Sequence, residues 1–363
     1  NVPFVKGQTV LTITGLDKAD FGPEVSGAVG ATNNIITILD ASGGADHQNF
    51  FGSSFNGVPG TGHWNDVDDV LTLYLLETTE SASEYTFAFQ LYNPPKEQPA
   101  VTPQIEASFV GNSFRLFTAG ESIAPVNMDY PVTDIQSLHD PLYVIAAQFT
   151  RLTARNSSTY PCDNNTITIG FETNVPLWER CKPILTFKGF LEAYAHVDQI
   201  MGLSMDVTNT LPLFGPVAHH FLPVKTDATN EDYAGDDFDY RDRVGGNDNA
   251  TSMGTWTNLN LNSRLSPSST ERVLKVFVNL TLPAHQLHEF QFTVVNPAQG
   301  QPASRFHAQA VGLPIVRTAG AYIMGVDESF FELKTARQSS KYPCDDNTLT
   351  VSLHSNVPLF ETC

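Results

Sequence analysis

Apolar and polar residues alternate over much of the chain. Tyr85, Phe87, Phe89 and Leu91 are interleaved with Glu84, Thr86, Ala88 and Gln90. Phe290, Phe292 and Val294 repeat the pattern, and Ile167, Ile169 and Phe171 are set against Thr166, Thr168 and Glu172. A period of two predicts strands that bury one face and wet the other. Asn-Pro, Pro-Gly and Gly-Gly pairs punctuate these runs as turn residues do. No long stretch carries an apolar stripe at helical spacing. The pattern predicts an all-β protein.

The pattern also repeats. Tyr160-Pro161-Cys162-Asp163-Asn164-Asn165-Thr166-Ile167-Thr168 returns 182 residues later as Tyr342-Pro343-Cys344-Asp345-Asp346-Asn347-Thr348-Leu349-Thr350. Asn174-Val175-Pro176-Leu177 returns as Asn356-Val357-Pro358-Leu359, and Asn1-Val2-Pro3-Phe4 matches the same turn. Leu11 to Leu16 then corresponds to Leu185 to Phe190. Gly62-His63-Trp64 parallels Gly254-Thr255-Trp256, and Val70 to Leu75 parallels Val273 to Val278. Tyr92-Asn93-Pro94 parallels Val295-Asn296-Pro297, and Gln98-Pro99-Ala100 parallels Gln301-Pro302-Ala303. So many ordered matches establish a tandem repeat. The two copies differ by insertions between Gly189 and Trp256 and between Ala100 and Thr153, as surface loops on a shared scaffold do.

Together these features predict two tandem immunoglobulin-like β-sandwiches with loop insertions, followed by the opening strand segment of a further repeat. The predicted divisions are 1–147, 148–326 and 327–363. In this frame the run from Asp163 to Val175 belongs to an opening hairpin. The chain starts in mid-pattern at Asn1, which reads as a processed or excised product whose first sandwich lacks that hairpin. Residues around 331–363 form an opening hairpin with no sandwich after it. Two arrangements follow. The spare segment completes the first sandwich of another copy by strand addition, or the chain is a crop from a longer covalent array.

Composition narrows the partners. The formal net charge is −19, with 20 basic and 39 acidic residues. Nucleic acid needs clustered Lys and Arg, and anionic membranes need the same, so neither is expected. No apolar run approaches the 18 or so residues of a membrane helix. The expected partners are copies of the chain itself or adjacent repeats.

Each repeat unit holds one pair of cysteines spaced 19 apart, Cys162 with Cys181 and Cys344 with Cys363. Even number and matched spacing predict the disulfides Cys162–Cys181 and Cys344–Cys363 and an oxidising compartment. Zinc lacks the Cys-x-x-Cys and His spacing it would need. Gln8 stands where Cys181 and Cys363 stand. Sequons at Asn156, Asn164, Asn249 and Asn279 are candidate sites for N-linked glycans.

The stretch from Thr226 to Asn249 is rich in carboxylates, among them Asp236, Asp237 and Asp239. It has two readings, a solvated acidic insertion or a calcium loop; its spacing does not match an EF-hand. Asp66, Asp68 and Asp69 carry the same two readings. His219-His220 and the pair His285 and His288 do not gather three metal ligands. No nucleophile elbow, phosphate loop, dinucleotide fingerprint or His-Glu-x-x-His appears, so no catalytic residue, cofactor or enzymatic activity is predicted. Trp64 and Trp256 recur at one place in both repeats, which fits a core anchor better than a sugar platform.

The run at 160–177, the Leu-Thr-Phe-Lys-Gly-Phe segment after it, and the Gly-Thr-Trp and Asn-Pro…Gln-Pro-Ala elements resemble repeats in very large surface proteins of single-celled algae and other protists. The resemblance covers most of both copies. It implies a secreted or cell-surface multidomain chain that builds extracellular fibrils or flagellar hairs. The acidic insertion and Gln8 depart from the repeat pattern. The expected function is a structural subunit or segment of an extracellular glycoprotein filament. A cell-surface adhesin or carbohydrate-binding protein is the alternative.

Overall fold

The computed structural model describes residues 3–16, 34–41, 43–65, 67–110, 122–128, 141–191, 209–224, 253–258, 271–341, 343–344 and 346–359. The chain is all-β, and among the described residues every strand pairing is antiparallel. Among the described residues the helical segments are short 3-10 turns, and no helix is long and apolar enough to cross a membrane. Two compact units divide it, residues 1–146 and 147–363.

The first unit contains β1 (Thr9–Thr14), β2 (Ile35–Asp40), β3 (Phe51–Gly52), β4 (Thr61–Asn65), β5 (Val70–Leu75), β6 (Phe87–Phe89), β7 (Gln104–Phe109) and β8 (Ser122–Asn127). They form one sheet in the order β6-β2-β4-β5-β1-β7-β8, with β3 also on β5. The alternation in β5 puts Leu71, Leu73 and Leu75 on one face. That face meets Leu11, Ile13, Ile36, Ile38, Phe51 and Trp64 in a single core.

The second unit begins with the hairpin β9 (Phe149–Asn156) and β10 (Asn164–Thr173). It continues through β11 (Ile184–Leu191), β12 (Asn209–Pro212), β13 (Phe221–Pro223), β14 (Met253–Asn258) and β15 (Glu271–Val278). β16 (His288–Val295), β17 (Ser304–Val311) and β18 (Ile315–Ile323) follow, before a terminal hairpin in the same unit. Two sheets result, β12-β14-β15-β11-β17-β18 with β13 on β15, and β16-β10-β9. They enclose a common core, to which the small sheet gives Ile167, Ile169, Phe171, Phe290, Phe292 and Val294 and the large one Phe187, Leu274, Val276 and Phe306. This is a β-sandwich, and its inner faces are the apolar positions of the period-two pattern.

Strand for strand, β1 to β8 correspond to β11 to β18. The shared pairings are β4-β5-β1-β7-β8 against β14-β15-β11-β17-β18, β2-β4 against β12-β14, and β3-β5 against β13-β15. The repeated glycine explains one part of the sequence match. Gly189 has φ +111°, and a Cβ there would lie 2.8 Å from the Arg305 carbonyl oxygen. Its counterpart Gly15 has φ +75°, with a Cβ 3.1 Å from the Thr102 carbonyl oxygen. Both places require a residue without a side chain.

Two strands of the second unit, β9 and β10, have no counterpart among the described residues of the first. Their counterparts lie at the other end of the chain, in the hairpin β19 (Phe331–Gln338) and β20 (Leu349–Ser355). That two-stranded sheet joins no other among the described residues.

Candidate functional site

The hairpin β19–β20 reproduces β9–β10 in register as well as in sequence. Ile167 faces Asn156 and Thr173 faces Phe149 in the first. Leu349 faces Gln338 and Ser355 faces Phe331 in the second. Both also close with the same turn. The Asn165 side-chain carbonyl accepts from the Ser157 and Ser158 amides at 2.9 and 3.3 Å. The Asn347 carbonyl accepts from those of Ser339 and Ser340 at 3.1 and 3.2 Å. At the open end, Asn174 accepts from the Gln148 amide and Asn356 from the Phe330 amide, each at 2.7 Å. Local hydrogen bonding therefore sets this hairpin, whether or not a sheet lies beside it.

What differs is burial. Ile167, Ile169 and Phe171 are 0% exposed, whereas the matching Leu349, Val351 and Leu353 are 65%, 55% and 59% exposed. In the second unit β10 lies against β16 with Ile167 opposite Phe292 and Ile169 opposite Phe290. In the first unit the counterpart of β16 is β6, which pairs with β2 alone among the described residues. Its Phe87 and Phe89, and Leu91 just after it, are half-buried, while Phe290, Phe292 and Val294 are fully buried. Among the described residues, then, β20 pairs with β19 alone and β6 leaves one edge unpaired. A free edge of this kind is a template for strand addition.

The expected disulfides require correction. Cys181 and Cys344 carry free thiols, so neither the pair Cys162–Cys181 nor the pair Cys344–Cys363 is formed. Cys162 is disulfide-bonded, to neither of these two residues. Its own side chain lies outside the reach of Cys181 because the 10 residues of β10 separate them. A strand of that length spans about 30 Å, against roughly 7 Å between the α-carbons of a disulfide. Cys162 sits at one end, its amide on the Pro297 carbonyl, and Cys181 follows the other end in the 3-10 turn Glu179–Cys181. Equal spacing reflected the two ends of one strand. β20 intervenes in the same way after Cys344; Cys363 lies outside the described residues. Burial pushes the Cys181 thiol above its usual value, against the opposing charge and hydrogen bond of Arg180.

Of the sequons, Asn164 is exposed at the start of β10. Asn156 is half-buried and donates to the Ser158 carbonyl at 3.1 Å. Asn279 is half-buried, its amide on the His220 carbonyl at 2.8 Å. Asn249 and the acidic residues Asp236, Asp237 and Asp239 lie outside the described residues, as does Asp66. No group of three or more acidic, histidine or cysteine residues is placed to hold a metal among the described residues.

Trp64 is 3% exposed in the first core, so it offers no ring face to a sugar. Trp256 lies on β14, where its side chain is outside the described set. Trp178 is 42% exposed, with the Arg180 guanidinium 4.7 Å above its ring. The His219 and His220 rings lie 4.2 Å apart and tilted by 51°, and burial lowers the His220 pKa against a hydrogen bond to the Leu280 carbonyl. His288 is buried, one ring nitrogen 2.9 Å from the Pro283 carbonyl. These histidines pack against backbone and rings.

No protein-family model matches the chain, and no curated protein is significantly similar to it.

Proposed function

We propose that the chain is a structural subunit or segment of an extracellular glycoprotein filament, in which a sandwich of the first kind accepts a hairpin of the β19–β20 kind from another copy. One observation carries this reading: Leu349, Val351 and Leu353 stand bare at positions whose equivalents Ile167, Ile169 and Phe171 are 0% exposed. Main-chain ladders supply the adhesion in strand addition and alternate side chains supply the specificity. Covering the three side chains contributes about 3–5 kcal/mol, since a fully buried aliphatic residue is worth about 1.5–3 kcal/mol and these are already partly covered.

Donor and acceptor lie on different parts of the same chain. Such a contact is heterologous, and it extends into an open array unless its rotation closes a ring. A net charge of −19 keeps the lateral surfaces mutually repulsive, which favours thin fibres over bundles. N-linked glycan at the exposed Asn164 suits this role, in an extracellular or cell-surface setting. The adhesin or carbohydrate-binding alternative receives no support from Trp64, whose ring is enclosed.

The test is polymerisation of the chain 1–363 itself, followed by light scattering and negative-stain imaging. The wild-type chain is expected to form linear fibres. A Val351→Asp, Leu353→Asp variant is expected to stay monomeric with its thermal unfolding unchanged, because both side chains are exposed in the monomer. Fibres formed equally well by the variant would sink the proposal. The intact mass under denaturing conditions tells separate subunits from a covalent array: one copy of the chain in the first case, many in the second.

A further inference from the structure

The apolar side chains of β20 do not by themselves choose a register. Leu349, Val351 and Leu353 alternate with period two, so a slip of two residues along β6 keeps every apolar side chain on the core face. A polar group that finds its partner at one position alone would settle the choice.

The second unit contains such a group. Asn165 and Asn296 are 0% and 1% exposed, and the Asn165 amide donates to the Asn296 side-chain carbonyl at 2.8 Å. The Asn296 amide donates in turn to the carbonyls of Ser158 and Tyr160 at 3.2 and 2.9 Å. With the turn amides on the Asn165 carbonyl, the side-chain amides of both residues are engaged although they are buried. The counterparts are Asn347, in the turn of the β19–β20 hairpin, and Asn93, just beyond β6. Both are exposed. Asn347 already accepts from Ser339 and Ser340 as Asn165 accepts from Ser157 and Ser158. Half of the clasp is preformed on the donor, and the other half waits on the acceptor.

We propose that Asn347 of one copy and Asn93 of the next close a buried amide pair that holds the added strand in a single register. This inference rests on the strand-addition reading above. Transferred from β10 and β16, the register places Asn347 opposite Leu91, Leu349 opposite Phe89, Val351 opposite Phe87 and Leu353 opposite Tyr85. A slip of two residues carries Asn347 away from Asn93 and leaves its amide only the 3.4 Å bond to the Gln338 side-chain carbonyl. The buried amide pair lost in this way disfavours the slipped state roughly 10- to 100-fold. Asn347 is therefore a specificity determinant in the way that one buried asparagine fixes the register of a coiled coil.

Cross-strand cysteine pairs read the register directly. In the second unit the Thr166 and Thr293 hydroxyls lie 3.4 Å apart across the strands, and their counterparts are Thr348 and Gln90. In a Cys181→Ser, Cys344→Ser background, the pair Thr348→Cys and Gln90→Cys reports the proposed register. The pair Thr350→Cys and Gln90→Cys reports the slip by two. Oxidised glutathione is the oxidant: two thiols lose two protons and two electrons to it and it leaves as two reduced glutathione molecules. Non-reducing gels then give the linked fraction.

The first pair is expected to link copies nearly completely and the second hardly at all. Adding Asn93→Leu and Asn347→Leu is expected to raise linkage of the second pair at least tenfold, to a level near the first. Asn347 also holds the Ser339 and Ser340 amides of its own turn, so Asn93→Leu alone, which leaves that turn intact, must raise linkage of the second pair as well. Equal linkage of the two pairs with the asparagines intact would overturn the proposal, as would a single register that survives the leucine changes. In either event the fibres persist and strand addition stands. Absence of any linkage together with absence of fibres would overturn both readings.

Discussion

An alkylating reagent is attacked by a thiolate, and burial holds the Cys181 thiol in its protonated form to higher pH than usual. In the monomer, Cys344 is exposed and Cys181 is half-buried. Mass spectrometry after brief treatment with iodoacetamide should therefore find Cys344 modified first and Cys181 later. The Cys181 rate should keep climbing with pH past the point where an ordinary thiol levels off, because its folded pKa is raised. Cys162 should stay unmodified until a reductant is added. Joint protection of Cys162 and Cys181 in the unreduced protein would restore the pairing that the structure rejects. Trp64 gives a second expectation at this scale. It is 3% exposed, so Trp64→Ala should destabilise the first unit by about 3–5 kcal/mol, measured by denaturant unfolding.

At the scale of the element, identical strands have opposite surroundings. β10 is held between β9 and β16, while β20 has β19 alone among the described residues. Phe171→Ala should cost the second unit about 3–5 kcal/mol. Leu353→Ala, at the matching position of β20, should leave thermal unfolding of the monomer within about 0.5 kcal/mol. It should nonetheless weaken fibre formation roughly tenfold or more, through the lost apolar burial. Differential scanning calorimetry and a critical-concentration measurement separate the two effects.

This contrast also shows what can be read from a sequence. The alternation of Ile167, Ile169 and Phe171 predicts their burial because a strand has two faces. The match of Leu349, Val351 and Leu353 to them exposes the spare hairpin because copies of one element share one fold. The cysteines mislead because spacing counts residues without regard to direction; an extended strand turns 19 positions into two distant ends. The Asn165–Asn296 pair escapes notice for another reason. Both residues stand inside the repeated motifs, in Asp-Asn-Asn-Thr and Asn-Pro, but short asparagine motifs suggest turns and sequons. Only the sheet register brings them together.

At the scale of the whole molecule, the proposed assembly joins the first unit of one copy to the terminal hairpin of another. Hydrogen exchange tests it most directly, because a backbone amide that enters a ladder stops exchanging while one that remains at an edge does not. Peptides covering 346–353 and 85–92 should be compared in wild-type fibres and in the monomeric Val351→Asp, Leu353→Asp variant. The proposal predicts that the outward amides of both segments, those not already bonded to β19 or β2, gain strong protection together in fibres and not in the variant monomer, with peptides of β10 and β16 protected in both. Fibres in which residues 346–353 and 85–92 exchange as fast as in the monomer would contradict it, for the copies would then be joined through some other surface.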